Sequence, residues 1–467
     1  MSKPAPQRLS FLVKSGYGAA SGAIGMMFSL VSLYVLFFLT DVARLDPAFA
    51  GFVVMLGASW DACLNPAVGV GSDRLKTRWG RRRPFLLAVA VPYGVIGWLL
   101  FSDFNLGEVG AKLYFTVMII LYFTANACLE VPYSSLSAEM TKDYDERTSL
   151  VGFRMAWSQM ASIAGAALPL PVAMYFSGVL GSERAGWSAM AGAFGVACLP
   201  LILVTWRATR GLEVFPETTD LNTLRMLKDA FRNRPFRYAA SVWTFGGVGM
   251  AISGYLIVYF MTYVLNLNEA WSSCAFLILF ACGVLWIPVI NLTSARFGKR
   301  WTYIIYVGAW GLVQGLAVPF ITPETWWVFF LGMFLASAGV VTLFICGYAM
   351  IADVVEVDEF KSGHRREGFY FGTAFFAQKV LAALVVWGIG ITLSRIGYVP
   401  DAPQTGTALA GIRALYAWGS GAAFLISLAF CYLVPMTRDN HAALLEAMRL
   451  KREGKPYDTE AIEGIIH

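Results

Sequence analysis

Along the chain, uncharged or nearly uncharged stretches alternate with short polar segments. The apolar stretches fall at 15–40, 47–72, 84–102, 113–138, 148–176, 185–206, 238–268, 270–295, 301–323, 325–352, 368–394 and 414–437. Crossing the hydrocarbon core of a bilayer takes about 20 apolar residues in a helix. A backbone in oil has no water to bond, so each stretch is predicted to be a spanning α-helix. The pattern therefore predicts an all-α membrane protein with twelve transmembrane helices. The polar start, Met1 to Lys14, precedes a run too long for a cleaved signal, so that run is expected to remain as the first span.

Composition agrees with that pattern. Hydrophobic residues make up 57% of the 467 residues and charged residues 14%, against about 25% charged in a typical soluble domain. A disordered chain, a coiled coil and an ordinary water-soluble globule are excluded. The net charge of +6 does not indicate nucleic acid, because its location follows the loops. With the tails and even-numbered loops on one side, that side holds 28 Lys and Arg and the other holds five. The bias places both termini in the cytoplasm.

Seven cysteines lie singly in apolar stretches, with no paired or metal-ligand spacing, and are expected to be packing residues. Three histidines, at 364, 441 and 467, lie near segment ends. No nucleophile–base set or metal motif lies at membrane depth, so neither an enzyme nor a cofactor is expected, apart from a coupling ion.

Four charges remain in or near the apolar stretches: Asp61, Glu130, Arg154 and Lys379. A charge at the bilayer centre costs at least about 2.5–3.5 kcal/mol, so each is a functional candidate. Asp61 has Asn65 one turn on and then Pro66. Glu130 has Asn126 one turn before and Pro132 two residues after. Each arrangement sets a carboxylate and an amide on one helix face, beside a proline that frees a carbonyl. Two acids and two bases can neutralise one another in a central cavity, and Asp61 and Glu130 are expected to pair with Arg154 or Lys379 when the cavity is empty.

The chain also repeats itself. Thr77-Arg78-Trp79-Gly80-Arg81-Arg82 reappears as Ala295-Arg296-Phe297-Gly298-Lys299-Arg300, and Ala138-Glu139-Met140 as Ala352-Asp353-Val354, at nearly one offset. Two six-helix halves are predicted, residues 1–206 and 238–437, in the parallel-repeat arrangement of major facilitator transporters. Residues 207–237 form a cytoplasmic central loop, in which Asp220 can cap an interfacial helix carrying Leu221, Leu224, Leu227 and Phe231. Residues 438–467 form a cytoplasmic tail with an amphipathic stretch read as Ala442, Leu445 and Met448.

Trp60-Asp61-Ala62, Asn65-Pro66 and Arg78-Trp79-Gly80-Arg81-Arg82-Arg83-Pro84 resemble the glycoside–pentoside–hexuronide:cation symporters, the family typified by the melibiose permease. So do Glu130-Val131-Pro132-Tyr133-Ser134, Asp145-Glu146-Arg147-Thr148, Gly152-Phe153-Arg154, the run Ala352 to Gly363, Arg366-Glu367-Gly368, Lys379 and Ile396-Gly397-Tyr398. The resemblance covers the chain from Leu9 to Pro435. It implies a major facilitator fold in the inner membrane of a bacterium, and cation-coupled symport of a sugar, glycoside or uronide by a monomer in the lipid bilayer.

By position, it makes Asp61 and Glu130 the cation-coupling acids, and Asn65, one turn from Asp61, joins them on its spacing alone. It makes Glu130, Arg154 and Lys379 substrate-binding; Asn126, one turn from Glu130, and Trp157, a ring that can stack on a sugar or simply pack, are added from their own chemistry. It makes Arg147, Asp353, Glu356 and Arg365 a cytoplasmic gate, to which Asp73, beside Arg81 and Arg82, is a further candidate. The family's sodium-using members carry a second helix-two acid, a preceding amide and a helix-four hydroxyl; Asn65, Leu64 and Ala127 stand there. H⁺ is therefore favoured over Na⁺ as the coupling ion. Gly25 replaces an acid and Ser134 a Trp of the galactoside users, which argues against a galactoside. Two alternatives are a carrier of amphipathic or lipid-like solutes and a membrane sensor that binds without transport.

Overall fold

A computed structural model describes residues 9–75, 77, 79–80, 82–141, 144–212, 233–362, 367–400, 402–436, 438–453 and 455–456. Helices account for its architecture. α1 (Phe11–Phe37) continues into a wider π turn, Phe38–Val42. α2 (Pro47–Arg74), α3 (Arg83–Leu100) and α4 (Gly107–Met140) follow. α5 runs Tyr144–Ala167 and then Pro169–Leu180, bent by 45° where Pro169 and Pro171 interrupt the backbone ladder. α6 is Glu183–Ala208.

The second half repeats the plan. α7 (Arg234–Tyr259) ends in the π turn Phe260–Val264. α8 and α9 share the run Glu269–Leu312, divided at Gly298, and α9 extends to Phe320. Thr293 and Trp286 of α8 touch Tyr306 of α9, so the run folds back as a hairpin. α10 comprises Trp326–Thr342, Leu343–Gly347 and Tyr348–Ser362. α11 is Glu367–Arg395, and α12 comprises Gly406–Ala414, Leu415–Gly419 and Ser420–Leu433. Among the described residues these make twelve membrane-length helices, as the hydropathy pattern predicts. An even number of crossings brings both chain ends to one side, called here the terminal side.

The internal repeat is visible in backbone geometry. Gly80 and Gly298 both adopt positive φ, 100° and 82°, at the turns after α2 and α8. Only a residue without Cβ takes that conformation without strain, which is why the repeated motif keeps glycine there. Within the first half, α1 packs on α5 and α6, α3 on α6, and α2 on α4. In the second, α7 packs on α11 and α12. The halves meet where α1 touches α7, α2 touches α11, and α5 touches the α8–α9 run.

After α12 the tail forms α13 (Arg438–Arg452). Its amphipathic register differs from the expected one. Leu444, Ala447 and Met448 are buried, whereas Leu445 is 44% exposed and Ala442 is exposed. The docking face is set by the end of α10 beneath it, which the tail sequence cannot show. The expected interfacial helix around Asp220, together with Arg365 and the side chains of Asp73 and Arg147, lies outside the described residues.

Candidate functional site

Asp61 sits at the middle of α2, 4% exposed. From α11, Lys379 Nζ donates to its Oδ2 at 2.6 Å, so the two halves are tied by an ion pair at mid-membrane. Asn65, one turn on, donates to the same oxygen at 3.3 Å. The other oxygen, Oδ1, is buried without a hydrogen bond. A buried carboxylate oxygen with a vacant lone pair is a proton acceptor in waiting. The Lys379 side chain is 38% exposed and Asp61 only 5%, so the pair is approached from the lysine side.

Glu130 on α4 takes a different partner from the expected base. Asn126 Nδ2 donates to its Oε2 at 3.3 Å, and Tyr93 OH donates to Asn126 Oδ1 at 3.2 Å. Arg154 on α5 pairs with no carboxylate among the described residues. Its guanidinium lies 5.3 Å from the centre of the Tyr133 ring, and its Nε is buried without a hydrogen bond. Tyr133 is itself fixed by stacking on Tyr17 at 5.0 Å and by donating to Tyr17 O at 3.0 Å. The expected reciprocal pairing thus holds for Asp61 with Lys379 and not for Glu130 with Arg154. Trp157 donates through Nε1 to Ser15 Oγ at 3.1 Å and fills the α1–α5 seam against Gly18 and Gly22. A side chain at Gly25 would overlap Ser158 and Ser162, with its Cβ 2.7 Å and 2.8 Å from their hydroxyls.

The contact between α2 and α11 shows which side of this site is shut. A Cβ on Gly51 would lie 2.8 Å from Val386 O and 3.1 Å from Gly390 Cα, so the antiparallel helices are pressed together there. The same register brings Asp61 to Lys379 and then sets Gly69 opposite Gly372. At that level a Cβ on Gly372 would meet nothing within 4 Å, and one on Gly69 would meet only Val131 of α4, at 3.8 Å. The pair is zipped on the far side and parted on the terminal side.

The far side is also closed by groups of which the sequence analysis named only Tyr398, and that only as part of a motif. Tyr263 and Tyr398 donate to Asp41, the latter at 2.5 Å, and Thr40 Oγ1 lies 2.6 Å from Tyr259 OH. Ser394 adds a bond to Asp46 at 3.2 Å. Asp41 is 5% exposed within this cluster. A sequence signal for it exists. Phe38-Leu39-Thr40-Asp41-Val42 and Phe260-Met261-Thr262-Tyr263-Val264 match at three of five positions, and both form π turns. Arg44 and Asn266 then take the same left-handed backbone, at φ 55° and 51°. The two turns are repeats of each other, and Asp41 and Tyr263 are the repeated positions in contact.

On the terminal side, Asp353 accepts from Lys299 at 2.6 and 2.9 Å, and Glu356 bonds His441 Nε2 at 2.7 Å. Two of the three expected gate acids, Asp353 and Glu356, therefore have partners within their own half.

The profile of the family described as "MFS/sugar transport protein" matches residues 16–438. An uncharacterized symporter of Synechocystis is 26% identical, covering 96% of this chain and 98% of its own. The isoprimeverose transporter of Lactiplantibacillus pentosus is 28% identical over 89% and 88%. A putative sulfoquinovose importer of Salmonella typhimurium is 25% identical over 96% and 95%. The solved structure of a D-xylose-proton symporter superposes with a TM-score of 0.62 at 16% identity, covering 90% of this chain and 97% of that one.

Proposed function

The chain belongs to the MFS/sugar transport protein family, a family of carriers rather than enzymes, and from that premise we propose that it imports a sugar, glycoside or uronide by cation symport, with H⁺ favoured over Na⁺. The observation that carries this reading is the Asp61–Lys379 pair, a single charge contact that both tethers the two halves and leaves one carboxylate oxygen vacant. A proton taken by Asp61 cancels its charge and releases the Lys379 ammonium toward substrate oxygens. The filled site then carries no bare pair and can be enclosed. Loss of the proton on the other side restores the pair and expels the substrate. The far side is the external one in this scheme, because the basic loops lie with the termini. In this scheme the form described above is open to the cytoplasm.

The oxygen donors around Asp61 are few. Leu64 and Ala127 offer none, and Oδ2 is already held by Lys379 and Asn65. A proton needs one lone pair, whereas a metal cation needs several ligands. Uptake into proteoliposomes is expected to be driven by an imposed pH gradient and to be indifferent to Na⁺. Uptake driven by Na⁺ at constant pH would refute the ion assignment.

Within the sugar class, Arg154 favours a substrate with an acidic group. A guanidinium with no carboxylate partner among the described residues gains most from an anion that can take its donors. A charge-assisted hydrogen bond contributes about 1.5–3 kcal/mol, so Arg154→Gln is expected to weaken uronide binding by about 10- to 150-fold. Neutral glycosides should lose far less. Thermal-shift titration of the purified protein with matched uronide and neutral pairs checks this, and equal losses for both would reject the acidic preference.

A further inference from the structure

The two bases of the site are held in opposite ways. Lys379 donates to Asp61 at 2.6 Å, so its charge is answered by an acid of the protein. Arg154 meets no carboxylate among the described residues, and its guanidinium lies 5.3 Å from the centre of the Tyr133 ring. That distance is inside the roughly 6 Å over which a ring face attracts a cation. The Tyr17 hydroxyl also lies within reach of the guanidinium.

The platform beneath the arginine is rigid. Tyr133 and Tyr17 are each 0% exposed, and their rings stack at 5.0 Å. Each donates to the backbone of the other, Tyr133 to Tyr17 O at 3.0 Å and Tyr17 to Tyr133 O at 3.4 Å. Thr205 of α6 donates to the same Tyr17 carbonyl at 3.3 Å. Three helices, α1, α4 and α6, thus lock the ring against which α5 rests its arginine.

Such an arrangement differs in kind from a salt bridge. A carboxylate occupies N–H donors and cancels the charge, whereas a ring attracts the cation through its quadrupole and takes no donor. An arginine held by a ring stays positive, keeps the edge of its planar fork for a ligand, and has given up rotamer freedom in advance. We propose that Tyr133 is the positioning residue of the substrate site: it presets the Arg154 guanidinium for the acidic group of a sugar, and ring and anion hold the guanidinium together. Tyr133 acts through Arg154 and not on the substrate. The proposal rests on the acidic-sugar reading for its ligand, but not for the geometry of the platform.

Two ring substitutions separate this role from packing. Tyr133→Phe keeps the electron-rich face and loses the bond to Tyr17 O. Pentafluorophenylalanine at the same position keeps the ring and reverses the sign of its face. Relative to Tyr133→Phe, the fluorinated ring is expected to weaken uronide binding by about two- to twelvefold, the cost of ordering one long side chain on binding. Binding of the matched neutral glycoside should not change, which also shows that the variant is folded. In the Arg154→Gln background the two rings should bind uronide equally. Calorimetric titration of the purified full-length protein reads all of these. A fluorinated ring that changes neither ligand, or both alike, overturns the positioning role. So does tighter uronide binding, which would make the ring a competitor of the substrate, and so does a difference that survives in Arg154→Gln.

Failure of the acidic-sugar reading is told apart by Arg154→Gln alone, which would then weaken both ligands alike. The platform is still tested in that event by the rate at which phenylglyoxal modifies Arg154 without any substrate. Modification should be faster with the fluorinated ring than with phenylalanine, and equal rates overturn the proposal.

Discussion

Asp61→Asn is expected to abolish accumulation against a gradient while leaving substrate exchange intact. One positive charge moving through 100 mV contributes about 2.3 kcal/mol, or roughly fifty-fold accumulation. An amide at position 61 takes up no proton in the working pH range, so the ratio should fall to about one. Exchange requires only that the loaded site be enclosed and reopened, and the substituted amide is neutral in every step. Proteoliposomes with an imposed membrane potential give both readouts. Continued accumulation would move coupling away from Asp61, with Glu130 the remaining acid.

The lysine variant separates coupling from stability. Lys379→Met leaves a carboxylate 4% exposed without its base. Removing one partner of a fully buried pair costs about 3–5 kcal/mol, and the cost here should be smaller because the Lys379 side chain is 38% exposed. The double variant, Asp61→Asn with Lys379→Met, should recover thermal stability without recovering accumulation.

Opposite conformational arrests are expected from two leucines on the same helix. In Gly390→Leu the new Cβ would overlap the Pro47 carbonyl oxygen and approach Gly51 Cα at 3.1 Å. Those are backbone atoms, which cannot move aside as a side-chain tip can. The far side should be forced apart, leaving binding from outside intact and uptake lost. Gly372→Leu meets open space in the form described here, so this form should be unaffected. If the terminal side closes by bringing Gly372 onto Gly69, the leucine blocks that closure and holds the carrier open inward. Distances between spin labels on the terminal-side ends of α2 and α11 should lengthen in Gly372→Leu and shorten in Gly390→Leu, relative to the wild-type mean. Equal distances in both would mean that these glycines are not the contact surfaces of the cycle.

Much of the site was legible because a membrane applies harsh one-dimensional rules. An ionised group amid twenty apolar residues stands out with no knowledge of its neighbours, so Asp61, Glu130, Arg154 and Lys379 could be named from the chain. The Lys and Arg bias of the loops predicts their side, and the twin glycine turns at Gly80 and Gly298 reveal the repeat. Asp41 escaped notice because it falls at the end of an apolar run, where an acid looks like an ordinary loop residue.

Fold class, the number of crossings, their division into halves and the identity of the charged residues were determined by sequence alone, since each follows from transfer of single segments into oil. Tertiary structure alone decided who pairs with whom. Asp61 meets Lys379, 318 residues away, while Arg154, among the described residues, lies over the Tyr133 ring and meets no carboxylate. It also decided which face of α13 docks, and that α2 and α11 close at Gly51 but part at Gly69. Those outcomes depend on the distance between helices, and periodicity within one helix carries no information about where its neighbour lies.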